Sequence, residues 1–220
     1  MTAATSSDTG GSNSANDESR VAGVVPPPED RRAAVWDRPV PGSGRAPLFW
    51  LMGVHGGAGA TTLARLLEPA ADCWRRWPAV LNQESPYVVL VARETIPGLS
   101  RAHELLRQHR SGLAGPSSVL GLIITAARPG RVPAEIRRYR EVIGVLAGNV
   151  WRIDWHEEWM LVEPEDLPVW VPGESSPVKR RSDPLLTVSP DIRELGDSIL
   201  DVVREVVSSS TDYQETKGQP

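Results

Sequence analysis

The 220-residue chain carries 24 Lys plus Arg against 28 Asp plus Glu, a formal charge of −4, and a single cysteine. Cys73 alone excludes an intrachain disulfide and a cysteine-based zinc site, and it suits a reducing cytoplasm. No apolar run approaches the roughly 18 residues of a membrane span, and the first 20 residues are polar, without the apolar stretch of a secretory signal. A cytoplasmic protein with no membrane span is therefore expected, with one domain of about 150 residues plus tails.

Residues 1 to about 45 are rich in Ser, Thr, Gly, Asn and Pro, including Pro26-Pro27-Pro28, and read as a disordered N-terminal arm. Val35-Trp36 interrupts it. Trp36 either packs on the domain that follows or forms a docking motif for a protein partner.

The core is expected over residues 46–162. Leu48 to Met52 is an apolar strand, Gly53 to Thr62 a glycine-rich loop, and Leu63-Ala64-Arg65-Leu66-Leu67 the start of a helix that Pro69 ends. Cys73, Trp74 and Trp77 read as the apolar face of a second short helical piece. Val88 to Val91 is the next strand, and the helix beginning near Pro97-Gly98 puts Leu99, Ala102, Leu105 and Leu106 on one side. Val119 to Thr125 is a third strand. A helix opening at Val132-Pro133 buries Ile136, Tyr139, Val142, Ile143 and Leu146, and Val150 to Asp154 is a fourth strand. Strands alternating with helices predict an α/β fold, a small parallel sheet flanked by helices, with the glycine loop at the carboxyl edge where ligands bind.

Residues 163–188 hold Pro164, Pro168, Pro172, Gly173, Pro177, Pro184 and the Lys179-Arg180-Arg181 cluster, and predict an irregular connection. Ser189-Pro190-Asp191 then starts a helix over 189–207. Its stripe of Ile192, Leu195, Ile199, Val202, Val203 and Val206 either closes the sheet or makes a homodimer contact. Residues 208–220 are expected to fray.

The loop carries the functional argument. Gly56, Gly57 and Gly59 permit a tight, partly left-handed path on which amide N–H groups converge on an anion, the start of the following helix adds to them, and Thr61 or Thr62 offers a hydroxyl to Mg²⁺. No Lys or Arg lies between Gly53 and Leu63. A charge pair at about 4 Å is worth roughly 4 kcal/mol at an effective dielectric near 20, against about 1 kcal/mol for a helix end. Affinity for a triphosphate should fall by about two or three decades unless an arginine elsewhere compensates, and Arg93 and Arg128, both following strand ends, are the candidates.

His55-Gly56-Gly57-Ala58-Gly59-Ala60-Thr61-Thr62 resembles the deviant phosphate loop of the ParA/MinD group of ATPases, whose pattern is Lys-Gly-Gly-Val-Gly-Lys-Thr-Thr. Both family lysines are replaced, by His55 and Ala60. The loop is also similar to that of an actinobacterial family associated with mobile elements. Val88 to Thr95 with the helix after it, and Val119 to Thr125, resemble later strands of the group, with Thr125 where the group usually has asparagine. The resemblance implies a P-loop core over about 47–207, with ATP and Mg²⁺ as ligands. The group's water-polarising and metal-holding aspartates have no counterpart at the ends of the three clear apolar strands, and Glu94 is misplaced. A degenerate member follows, a pseudo-ATPase that binds nucleotide or phosphate without efficient hydrolysis and acts as a regulatory or adaptor component, with a plasmid or conjugative element as the setting implied by the resemblance. The alternatives are an empty glycine turn, an active ATPase with a compensating arginine, and a nonspecific DNA binder using Arg128, Arg131, Arg137, Arg138 and Arg140, the last three facing solvent.

Trp151, Trp155, Trp159 and Trp170 read as core packing and a loop over the sheet edge, or as a partner surface or base-stacking platform. No Ser-His-Asp arrangement is legible, and His103, His109 and His156 lack metal-ligand spacing.

Overall fold

The computed structural model describes residues 23–42, 46–174 and 185–217, the last with side chains to 209. Five strands, β1 (Phe49–Gly53), β2 (Ala70–Asp72), β3 (Tyr87–Arg93), β4 (Ser118–Thr125) and β5 (Val150–Ile153), form one all-parallel sheet in the order β2-β1-β3-β4-β5. Four helices flank it: α1 (Ala60–Leu66), α2 (Ile96–Arg110), α3 (Ala134–Ala147) and α4 (Pro190–Lys217). The predicted α/β class is thus the observed one.

The three central strands are near-continuous apolar runs because both of their faces are covered. On one face Phe49, Leu51, Val89, Val91 and Ile123 pack against Leu63 and Leu66 of α1 and Ile192, Leu195 and Ile199 of α4. On the other, Trp50, Met52, Val88, Leu90 and Ile124 meet Leu99, Ala102 and Leu105 of α2 and Ile143 of α3. The terminal helical stripe therefore closes the sheet. Backbone helix continues to Lys217, past the expected fraying point at 208, while residues 218–220 lie outside the described residues.

Several expectations are corrected. The segment after Pro69 is a strand, not a second helical piece. Ala70–Asp72 pairs with Phe49–Leu51, and a turn at 74–76 follows. Its two alanines lack β-branched character, and a three-residue strand shows no periodicity. Val142 is exposed rather than buried on α3.

Of the 45-residue arm, residues 1–22 and 43–45 lie outside the described residues, and the stretch between them is packed on the fold. Ala33 and Val40 are buried. Gln108 of α2 clamps the arm: its Oε1 accepts from the Ala33 amide at 2.8 Å while Nε2 donates to the Ala33 and Leu113 carbonyls, each at 2.8 Å. Trp36 donates its indole N–H to Cys73 O at 3.0 Å, and its amide to Trp77 O at 2.9 Å. Composition missed this because the anchoring groups belong to α2 and to the loop after β2. Within 163–174 the irregular connection contains a short 3-10 turn, Pro164–Asp166, and Trp170 bridges to Leu67; Pro177, the Lys179-Arg180-Arg181 cluster and Pro184 lie outside the described residues.

Candidate functional site at the carboxyl edge of the sheet

β1 is flanked by β2 on one side and β3 on the other, and the helices that follow lie on opposite faces: α1 after β1, α2 after β3. That reversal opens a crevice at the carboxyl ends of β1 and β3, the usual ligand position in a doubly wound sheet. The glycine loop sits there. It leaves β1 at Gly53, turns through Gly57 (φ +75°) and Gly59 (φ +98°), and enters α1 at Ala60. A side chain at either glycine would be strained in this left-handed conformation.

Three contacts fix the loop. Thr125, buried at the end of β4, donates its hydroxyl to Ala58 O at 2.9 Å. His55 Nε2 accepts from the Arg93 amide at 3.3 Å, which leaves the proton on Nδ1, 2.8 Å from Gly56 O. The imidazole ring is thus held between two main-chain partners, the Arg93 amide and Gly56 O. Gly98 lets α2 approach: a Cβ there would meet Arg93 O and lie 2.9 Å from His55 Nε2. Gly56, Gly57 and Thr61 are exposed, Thr62 is half-exposed, and Ala58 and Ala60 are buried.

The sequence reading missed Asp72. It closes β2 in register with Leu51 of β1, and its Oδ2 accepts from the Thr61 hydroxyl at 2.6 Å. Its Oδ1 accepts from the Trp74 amide at 2.7 Å. One carboxylate therefore ties the first turn of α1 to the turn after β2. A carboxylate at a strand end, beside β1, does stand near the loop after all; the signal was Asp72 itself, hidden behind an unrecognised strand. Cys73 beside it is buried, donates towards Leu51 O at 3.5 Å, and has its thiol pushed well above the ordinary range by burial, reinforced by the Asp72 charge. It is no nucleophile at neutral pH.

Trp74 (φ +58°) and Arg75 (φ +59°) are the first of five non-glycine residues with positive φ between β2 and β3. Each left-handed residue costs roughly 1–2 kcal/mol. Held this way, they border a cavity of about 440 Å³ that runs from His55 and Gly56 to α2 and the arm. Arg32, Arg75, Arg76 and Arg101 line it together with Trp74, and among the described residues no carboxylate does.

Of the candidate cations named from sequence, Arg93 adjoins the loop through its amide, bonded to His55. Arg93 donates its guanidinium to Ala126 O at 3.1 Å. Arg128 is exposed on the rim of a smaller cavity of about 190 Å³ that also involves Arg152, Asp154 and Trp155. Glu94, buried at the end of β3, binds Arg140 at 2.6 Å and Arg152 at 3.0 Å, and Arg152 also pairs with Asp154. Arg140 is therefore turned into an ion pair, a correction to its expected solvent-facing position; Arg131 and Arg138 are exposed and Arg137 is half-exposed.

Three of the four tryptophans pack, while Trp155 borders the smaller cavity. Trp151 covers Gly121 and donates to Ser198 Oγ at 2.8 Å, Trp170 is buried against Gly196, and Trp159 stacks on His156 at 4.1 Å between ring centroids. Among the described residues no group of three or more His, Cys, Asp or Glu could hold a metal, and no helix is long and apolar enough to cross a membrane. Comparison with protein-family models, with curated proteins and with solved structures finds no match for this chain.

Proposed function

We propose that this protein is a ParA/MinD-like, degenerate phosphate-loop protein that binds a nucleotide or phosphate ester with Mg²⁺ at the β1–β3 crevice and acts as a regulatory or adaptor component rather than as an efficient ATPase. The observation that carries the reading is the Thr61 hydroxyl bonded to Asp72 at 2.6 Å beneath the glycine turn. In phosphate-loop proteins Mg²⁺ is held by the loop Ser or Thr and a strand-end Asp, bridging to phosphate oxygens. The donor set fits: Mg²⁺ keeps water ligands and takes one or two protein oxygens when phosphate supplies the rest. When bound, the ion would neutralise phosphate charge. Thr61 and Asp72 would orient it, and the Gly56 to Ala60 amides would face the phosphate oxygens.

Hydrolysis lacks support on this side of the sheet. Asp72 is occupied by Thr61 and Trp74, the loop has no lysine, and Glu94 is neutralised by two arginines. The plasmid or conjugative-element setting belongs to the same proposal through the resemblance alone, the protein partner through the Trp36 and tryptophan readings, and a homodimer through the stripe of the terminal helix.

Calorimetric titration of the full chain with ATP, in Mg²⁺ and in EDTA, tests the reading. Binding is expected to be Mg²⁺-dependent, that dependence to vanish in Thr61→Val, and turnover to be negligible. Equal affinity in Mg²⁺ and EDTA would remove the assignment of Thr61. Turnover lost in Arg93→Ala would instead establish the active-ATPase alternative. A duplex mobility shift that weakens with salt and disappears on neutralising Arg128, Arg131, Arg137 and Arg138 would favour the DNA-binding alternative.

A further inference from the structure

Four arginines surround the cavity beside the glycine loop, and among the described residues its lining contains no acid. They come from separate parts of the chain: Arg32 from the arm, Arg75 and Arg76 from the turn after β2, Arg101 from α2. Of the nearby carboxylates, one pairs with Arg101 of the lining and the other is turned to the loop, which leaves Arg32, Arg75 and Arg76 as the charges facing the cavity. Glu104 takes Arg31 at 2.7 Å and Arg101 at 3.0 Å, while Asp72 holds Thr61 and Trp74. Among the described residues Arg32 donates its Nε to Pro27 O, and Arg76 lies 4.7 Å over the Trp36 ring, which leaves guanidinium donors on both. Like charges gathered around one concave space raise the local potential for an anion, and guanidinium forks match phosphate oxygens.

We propose that this cavity binds the phosphate chain of the ligand and that Arg75, with Arg32 and Arg76, supplies from outside the loop the cation that Ala60 does not. The inference rests on the preceding reading for the choice of a phosphorylated ligand. His55 and Gly56 make the cavity continuous with the loop, and Asp72 links the two structurally because it holds Thr61 with one oxygen and the arginine-bearing turn with the other. The packed arm is then part of the site. Its volume, about 440 Å³, lies in the range of small-molecule sites.

The full chain is titrated at low salt with tripolyphosphate in EDTA and with ATP in Mg²⁺. Arg75→Asn keeps a residue that tolerates the left-handed conformation, Arg32→Gln removes the arm's charge, and Arg138→Gln on α3 controls for loss of general positive charge. Tripolyphosphate should bind, about tenfold more weakly to each of the first two variants at unchanged unfolding temperature, and equally well to Arg138→Gln. Wild-type affinity in both Arg75→Asn and Arg32→Gln, an equal loss in Arg138→Gln, or no tripolyphosphate binding would overturn the proposal. Mg²⁺-dependent ATP binding that needs Thr61 but neither arginine sinks the cavity and spares the nucleotide reading. Tripolyphosphate binding through the arginines without a Thr61-dependent effect of Mg²⁺ on ATP does the reverse.

Discussion

The carboxyl edge of the sheet has two halves that use arginine in opposite ways. Past β3, Arg140 and Arg152 converge on Glu94, whose side chain is 2% exposed, and Asp154 adds a second acid. Past β1 and β2, Arg32, Arg75, Arg76 and Arg101 converge on a void. In the first half the charges cancel and join β3, α3 and β5. In the second, among the described residues, no acid stands among the cavity walls; Glu104 behind them pairs with Arg101 alone of the four, and the strand-end carboxylate of Asp72 is turned to Thr61. The difference separates structural charge from charge available to a ligand, a distinction that a count of arginines along the chain cannot make.

The largest stability effect is expected in the neutralised half. Glu94→Ala leaves Arg140 and Arg152 without their shared acid and should lower unfolding free energy by about 3 kcal/mol in urea titration, at the low end for a broken buried pair because both arginines stay partly exposed. A loss below about 1 kcal/mol would mean that this half is no more structural than the other. Gln108→Ala comes next. It strips partners from the buried Ala33 backbone and should reduce stability by about 2 kcal/mol, with proteolytic cleavage of residues 23–42 appearing before global unfolding. An arm that stays protected in this variant would show that it is not held through α2, and so is not a fixed wall of the cavity.

Titration extends the comparison to two histidines. His109 is pushed down to about 4 by burial, with Arg110 adding to it. Its folded value lies below the unfolded one, so protons bind the unfolded chain first and stability is lost as pH falls from about 6.5 towards 4. His156 differs in sign. Burial opposes its charge, but hydrogen bonds that the imidazole donates to Asp191 at 2.8 Å and Glu158 at 3.0 Å carry its value above the ordinary one. Its contribution is fully present below about 6.5 and is lost as pH rises through the raised value. Imidazole proton shifts followed from pH 3.5 to 8.5 should show His156 titrating above His109; the opposite order would contradict these environments. The smallest effect is expected at Thr61, which is exposed. Thr61→Val should change unfolding free energy by no more than about 1 kcal/mol, and a larger loss would make the Thr61–Asp72 contact a structural tie.

The central strands and α2, α3 and α4 were legible because apolar runs and 3.6-residue stripes survive in a sheet covered on both faces. The glycine loop was legible too, since its left-handed turns at Gly57 and Gly59 require that residue type. Two things were not. β2 is too short and too alanine-rich to register, and with it went Asp72. The cavity is assembled from residues 32, 75, 76 and 101, which only tertiary packing brings together. Arg140 shows the converse, since its place beside a helical stripe said nothing of Glu94, 46 positions earlier in the chain.

The central claim is that the glycine loop and the arginine turn after β2 face one phosphorylated ligand. Amide chemical shifts of the full chain, recorded as ATP with Mg²⁺ is added, test it most directly. Saturable shifts at Gly56, Gly57, Gly59, Thr61 and Arg75 are expected together. Shifts confined to Arg128, Arg152 and Trp155, or none at millimolar nucleotide, would contradict the account.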